Sequence, residues 1–333
     1  MAERERLLVR APNWIGDAVI SLGFLAALRK RRPEAEVTVL ANRRVSGVFR
    51  GHPAVGDLID FRQGESLFSA ASRARGREFG ICYVLPLSFS SAAVAFLAGI
   101  PARIGYDAEW RGWLLTKGLR YHRKGFRSRH LLEGYCRLLG EDAKPEDPEI
   151  SLSPEETAAA AGWLEKRGLK GPLAGFGPGA TFGPAKRWPR ERWIGLGRRL
   201  AERGGEILAF GSDEEQGLCR EIADGIGRGA VSCAGETDLR QSAALLSKCG
   251  LFVTNDTGAM HLAAASGSRV VALFGSTNPA WTRPWGRGHS VLYTKEPCSP
   301  CYRRTCRFGH YRCLDGITVD EVLEAIDKPV EIR

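Results

Sequence analysis

A carboxylate in a tight turn, two glycine-bearing loops with hydroxyl and cationic side chains, and a cluster of four cysteines carry most of the reactive chemistry in this 333-residue chain. The turn PNWIGD ends on Asp17, where the apolar spacing of a helix begins with Ile20, Phe24 and Leu28. A carboxylate at a helix N-terminus is kept ionised by the macrodipole and can accept a proton. The same position also suits a plain helix cap. With one glycine, the turn lacks the G-x-G-x-x-G that a nicotinamide-dinucleotide domain uses for pyrophosphate, which argues against an oxidoreductase.

The second loop, GPGATFGPAKRWPRERW (177–193), offers Gly177, Gly179 and Gly183 for close backbone approach, the Thr181 hydroxyl, and Lys186 as a point charge suited to phosphate. The third, TNDTGAMHLAAASG (254–267), places Asp256, Thr257 and Gly258 where a strand passes into a helix. The free amides of a helix N-terminus there make an anion site, and His261, four residues after Thr257, shares its helix face. A helical histidine and a glycine-rich loop are also ordinary structural features, so each alternative stands beside the functional one.

Cys298, Cys301, Cys306 and Cys313 lie within CSPCYRRTCRFGHYRC, with His310 among them. Four soft ligands so close together can close a tetrahedral zinc site; free thiols or a conditional disulfide are the alternatives. Nine cysteines without a recognisable export signal do not suggest a disulfide scaffold.

These loops need a scaffold, and the hydrophobic pattern supplies one. LLVRA (7–11), a helix over 17–32 and VTVLA (37–41) form a βαβ unit, followed by a strand at 81–87 and a helix at 129–140. The polar, proline-bearing stretch 141–154 reads as a linker. The pattern then restarts: helix 155–167, strand 173–179, helix 190–203, strand 206–211, helix 213–225, strand 251–255, helix 259–266 and strand 269–275. The expected fold is therefore α/β, with two Rossmann-like domains, 1–150 and 151–333, facing a central cleft. Ligands in such sheets bind beyond the carboxyl ends of strands, where all three loops fall.

Ordinary hydrophobic and charged content excludes disorder, and the uncharged run 85–102 carries too many Ser, Gly and Pro to suit a lipid span. The net charge of +10 is concentrated: 101–130 holds eight Lys or Arg against Asp107 and Glu109, and 298–313 holds four Arg with no acid. A polyanionic partner or a solvated basic face accounts for such runs.

The segments NWIGD (13–17), VLPLSFSSA (84–92), AGIPARIGY (98–106), PGATFGPAKRWP (178–189), FGSDEE (210–215), AGETDL (234–239), NDTGAMHLAAA (255–265) and FGSTNP (274–279) resemble glycosyltransferase family 9, the lipopolysaccharide heptosyltransferases, and most of all its heptosyltransferase II members. The resemblance implies a GT-B fold and inverting transfer of heptose from ADP-heptose to the first heptose of the Kdo2-lipid A inner core, with no cofactor required for catalysis. It assigns Asp17 as the base and Lys186 with Thr181 to the diphosphate and heptose, Phe182 standing where other members have a second hydroxyl. Glu215 or Glu214 would meet the ribose and Thr237 to Leu239 the adenine, with Asp256, Thr257, Gly258 and His261 completing the donor pocket. Arg103, Arg120, Arg123 and Lys124 would meet acceptor phosphates. The partners so implied are ADP-heptose, a phosphorylated glycolipid and an anionic inner-membrane surface, not nucleic acid. The protein would be cytoplasmic, peripheral at the cytoplasmic face of that membrane. Another donor or acceptor, or non-catalytic nucleotide-sugar binding, is the competing reading.

Overall fold

A computed structural model describes residues 4–328 and divides into two compact units, Met1–Ser151 and Leu152–Arg333. The first runs β1 (Arg6–Arg10), α1 (Ile15–Arg31), β2 (Glu36–Asn42), β3 (Asp57–Phe61), α2 (Leu67–Ser72), β4 (Ile81–Val84), α3 (Phe89–Leu97), β5 (Ala102–Asp107), β6 (Lys117–Arg120), α4 (Arg123–Arg127) and α5 (Leu131–Cys136). Its strands form one parallel sheet in the order β3-β2-β1-β4-β5-β6. Order reverses between β1 and β4, so the turn after β1 opens at the switch point where such sheets bind ligands.

The second unit runs α6 (Pro154–Lys166), β7 (Leu173–Gly177), α7 (Arg190–Glu202), β8 (Glu206–Ala209), α8 (Gln216–Ile226), β9 (Ala230–Ser232), α9 (Leu239–Leu246), β10 (Leu251–Asn255), α10 (Gly258–Ala265), β11 (Arg269–Phe274), α11 (Pro279–Thr282), β12 (Ser290–Tyr293), α12 (Arg312–Asp315) and α13 (Val319–Asp327). Its parallel order is β12-β11-β10-β7-β8-β9, with the switch between β7 and β10. The 177–193 and 254–267 loops leave these two neighbouring strands, which is why residues 70 apart in sequence meet.

The cores follow from the patterns. Central strands need both faces covered, and Leu7, Leu8, Val9, Phe252 and Val253 are all at most 1% exposed. Helix α7 buries Trp193, Leu196 and Leu200 on one stripe. The Trp193 ring packs 5.1 Å from both Phe176 on β7 and Trp188, so the Lys186 loop ends on a core side chain. Truncating such an aromatic costs roughly 3–5 kcal/mol.

Several boundaries differ from the sequence expectation. Helix α1 starts at Ile15, and Trp14, not Asp17, is its N-cap. The 81–87 strand ends at Val84, the 129–140 helix shrinks to Leu131–Cys136, and 213–225 opens with a 3₁₀ turn, Asp213–Glu215, before α8. Strands β3, β5, β6, β9 and β12 and helices α2, α4, α9, α11, α12 and α13 do not stand out in the hydrophobic pattern. No helix among the described residues is long and apolar enough to cross a membrane.

Candidate active site

In the second unit, Asn255 at the end of β10 ties the two loops together. Its Nδ2 donates to the carbonyls of Pro178 (2.8 Å) and Gly179 (3.2 Å), while its Oδ1 accepts from the Trp188 amide at 3.1 Å. The loop is thus clamped at both ends and presents Lys186 from a short 3₁₀ turn, Pro184–Lys186. Lys186 Nζ lies 2.5 Å from Asp256 Oδ2 and 3.3 Å from the Asp256 carbonyl. The Thr277 hydroxyl, from the turn after β11, donates to the same Oδ2 at 2.5 Å. Both charged side chains are largely shielded, at 13% and 7% exposure. The pair is therefore a fixed dipole rather than a surface bridge.

Phe182 lies between two cations, 5.0 Å from Lys186 Nζ and 5.6 Å from the Arg304 guanidinium carbon. Both can be attracted by the negative face of the ring. Arg304 belongs to the second basic segment, and its carbonyl accepts from the Ala185 amide at 2.9 Å. Gly183 sits between them at φ 144°, and a Cβ there would meet that carbonyl at 2.6 Å. Only glycine tolerates both the dihedral and the approach. In the sequence Arg304 stands out only as charge, and neither Asn255 nor Thr277 is distinguished, although both stand inside segments that resemble the family.

Gly179 has a comparable steric reason: a Cβ there would lie 2.1–2.4 Å from the carboxyl atoms of Glu215. Glu215 packs against the loop and accepts from the Ser212 amide at 3.0 Å, whereas Glu214 is exposed. Thr257 is the N-cap of α10 yet makes no side-chain cap bond, and the partly exposed Gly258 and Ala259 open the helix beside it. His261 is buried, one turn further in. Thr181 is exposed. Thr237 bonds Ser242 at 2.8 Å, just ahead of Leu239, the first residue of α9.

In the first unit, Asp17 is the third residue of α1, half-buried, in the first turn where the macrodipole favours an acid. It bears on buried Tyr135 of α5, whose hydroxyl is pushed well up, mainly by burial and then by the Asp17 charge. Arg10, at the end of β1, is buried and donates to Asn13 Oδ1 at 2.9 Å, which braces the turn leading to Asp17. Burial draws its guanidinium down to about 10.

The basic segment divides. Arg111 is fully buried and donates to the carbonyls of Tyr106 (2.8 Å), Ser88 (2.9 Å) and Pro86. Arg103 spends its guanidinium on the carbonyls of Leu114 (2.6 Å) and Ile100 (2.5 Å). Arg120, Arg123 and Lys124 are exposed.

The four clustered cysteines are free thiols, one of the alternatives their spacing left open, and do not form the tetrahedral set that it also allowed. Cys313 is pushed up to about 11 by burial and then by Cys301, Cys298 and Cys306, each of which lies near enough to act on it. Cys306, by contrast, is lowered, chiefly by the Tyr311 amide and also by those of Phe308, His310 and Gly309. Among the described residues no three His, Cys, Asp or Glu are arranged to hold a metal ion. Backbone amides take up Cys306, and Cys313 is turned toward Gly275, where a Cβ would meet its sulfur at 3.0 Å.

Two doubly wound parallel sheets, one with an acidic turn and the other with a cationic loop and a helix N-terminus at its switch point, define the GT-B class of glycosyltransferase fold. The solved structure of Escherichia coli ADP-heptose LPS heptosyltransferase II is similar over 97% of both chains, with TM-score 0.82 and 29% identity. Lipopolysaccharide heptosyltransferase 2 of E. coli strain K12 is 30% identical over 340 residues, 97% of both chains. Lipooligosaccharide heptosyltransferase 2 of Haemophilus ducreyi is also 30% identical, over 97% of this chain and 99% of its own. The profile described as glycosyltransferase family 9 (heptosyltransferase) matches residues 68–312. The chain belongs to glycosyltransferase family 9 and is a glycosyltransferase.

Proposed function

We propose that this enzyme transfers heptose from ADP-heptose to the heptosyl-Kdo2-lipid A inner core in lipopolysaccharide biosynthesis, with inversion at the anomeric carbon and no catalytic metal. The observation that carries this reading is the shielded Lys186–Asp256 pair beside the uncapped N-terminus of α10. A leaving ADP develops negative charge, and a preorganised cation with free helix amides stabilises it where it forms. Asp17 accepts the proton of the attacking acceptor hydroxyl as the new glycosidic bond forms and the anomeric carbon–phosphate oxygen bond breaks.

In this reading residues 151–333 bind the donor and 1–150 the acceptor. Lys186 and Thr181 meet the diphosphate and heptose, and Asp256 orients the ammonium through their contact. Glu215, held against Gly179, is favoured over the exposed Glu214 for the ribose, with Thr237 to Leu239 beside the adenine. Thr257, Gly258 and His261 close the pocket. Arg120, Arg123 and Lys124 meet acceptor phosphates, while Arg103 braces the loop behind them. The reaction takes place at the cytoplasmic face of the inner membrane. Cys298, Cys301, Cys306 and Cys313 have no part in it.

A panel of nucleotide sugars against a heptose-terminated core acceptor, read as ADP or other nucleotide release, tests this. ADP-heptose should turn over only with acceptor present; preference for a different donor would reject the assignment.

A further inference from the structure

Of the nine large apolar side chains exposed among the described residues, six lie between positions 67 and 113: Leu67, Phe68, Phe89, Phe96, Trp110 and Trp113. Three of them are in ring contact. Trp113 lies 6.2 Å from Phe89 and 5.9 Å from Phe96, and the Arg103 guanidinium covers the Phe96 ring at 5.3 Å. Helix α2, which carries Leu67 and Phe68, packs beside α3, which carries the two phenylalanines. Trp110, in the same β5–β6 loop as Trp113, is 93% exposed. Leaving so much aromatic surface in water is unfavourable unless something covers it.

The loop is built to hold these rings outward. Glu109 and Trp110 both occupy the left-handed region, at φ 51° and 62°. Residues other than glycine adopt it only when surrounding structure enforces it. Buried Arg111 supplies that enforcement through its bonds to the Tyr106, Ser88 and Pro86 carbonyls, and Glu109 accepts from the Phe89 amide at 3.2 Å. The loop backbone is therefore pinned from within on either side of Trp110. Immediately after it, β6 and α4 expose Lys117, Arg120, Arg123 and Lys124.

We infer that this aromatic shelf with its cationic flank docks on an anionic phospholipid surface. Indole and phenyl rings settle at the boundary between headgroups and acyl chains, and adjacent Lys and Arg gain from the negative surface potential. The inference rests on the reading of a lipid-carried acceptor, which it deepens by naming the face that meets the bilayer. Rings without the charge would fit a protein partner equally well; the run of Lys117, Arg120, Arg123 and Lys124, with no acid between them in sequence, outweighs the exposed Asp107 and Glu109 and selects the anionic bilayer.

Full-length protein should co-sediment with phosphatidylcholine vesicles containing about 30 mol% phosphatidylglycerol, and roughly tenfold less with phosphatidylcholine alone. High salt should weaken the first. The double variant Trp110→Ala/Trp113→Ala should lose about tenfold in partitioning while keeping its melting temperature and its ADP release with a soluble, deacylated acceptor. Quenching of wild-type tryptophan emission by brominated lipid, lost in the double variant, would place the two indoles in the bilayer. Equal binding to both vesicle types, or a double variant that binds like wild type, overturns the inference. So does wild-type self-association that the double variant abolishes, because the shelf would then be covered by a second copy. The vesicles contain no acceptor, so this outcome is independent of whether heptose transfer is the right reaction.

Discussion

Replacing Lys186 by Met, Asp256 by Asn, and both together separates two jobs that their ion pair allows. The two charged atoms lie 2.5 Å apart. At an effective dielectric of about 20 their gross attraction is about 7 kcal/mol, most of it offset by desolvating both charges. Removing one partner from a shielded pair leaves the other uncompensated, at roughly 3–5 kcal/mol. Thr277, which donates to Asp256 at 2.5 Å, is untouched by the substitution and leaves the carboxylate one donor. The lower figure therefore applies to Lys186→Met, a fall of roughly 6–12 °C in the melting of the second unit. The double variant removes both charges and should recover most of that loss. Catalysis should behave differently. If Lys186 faces the leaving diphosphate, its loss costs about 10²–10³ in kcat, and deleting Asp256 as well cannot restore it. Thermal melting and ADP release on the four proteins complete the cycle. A double variant that regains both stability and turnover would show that Lys186 only neutralises Asp256, and would refute the leaving-group role.

Asp17→Asn should lower kcat by roughly 10²–10⁴ while donor affinity, measured by ADP-heptose titration, stays within about twofold; retained turnover removes it as the base. His52 is buried, accepts from the Ala54 amide at 3.2 Å, and is lowered to about 4 by burial. The unfolded chain therefore binds the extra proton first, so the first unit holds this stability above about pH 6.5 and loses roughly 3 kcal/mol of it as pH falls toward about 4. Denaturant midpoints across that range check this, and an unchanged slope in His52→Asn would contradict it. In chelator-treated protein, Cys306 should be alkylated by iodoacetamide at lower pH than Cys313, since amides lower one thiol and burial raises the other to about 11. Buried Cys82, Cys136, Cys219, Cys233 and Cys249 should stay silent, and peptide mass spectrometry showing Cys313 modified first would count against this order.

The elements legible in the sequence were those that bury both faces or one clear stripe. Strand β10, LFVTN, was bounded correctly because nearly every residue in it is buried. The missed strands lie away from the centre of their sheets. β3, β6, β9 and β12 are the four sheet edges, β6 reading KGLR with a mostly exposed pattern and β9 having three half-buried residues, while β5 is paired on both sides but buries only Gly105 and Tyr106. Edge strands are held by pairing with a neighbour already in place, so their own side chains need carry no apolar period. The early start of α1 has a related cause. The 14–17 turn of the backbone closes through the Ala18 amide on the Trp14 carbonyl at 2.9 Å, a local bond that no side-chain pattern announces.

For the site, motifs located the loops but not their partners. Lys186 and Asp256 could each be named from sequence, whereas their 2.5 Å contact follows only from β7 and β10 being neighbours. Arg304 arrives from more than a hundred residues further along to share Phe182 with Lys186, and nothing in its local sequence distinguishes it from Arg303 or Arg307. The basic segment shows the opposite error. Counting charge treats all eight Lys and Arg of 101–130 alike, yet Arg103 and Arg111 turn inward because loop carbonyls between strands need donors that no ladder supplies. Their inward turn fixes the β5–β6 loop in the shape that holds Trp110 and Trp113 in solvent, so the cations subtracted from phosphate binding are the ones that build the aromatic shelf. An Arg111→Ala variant should consequently lose vesicle binding even though the residue itself is fully buried and touches no lipid.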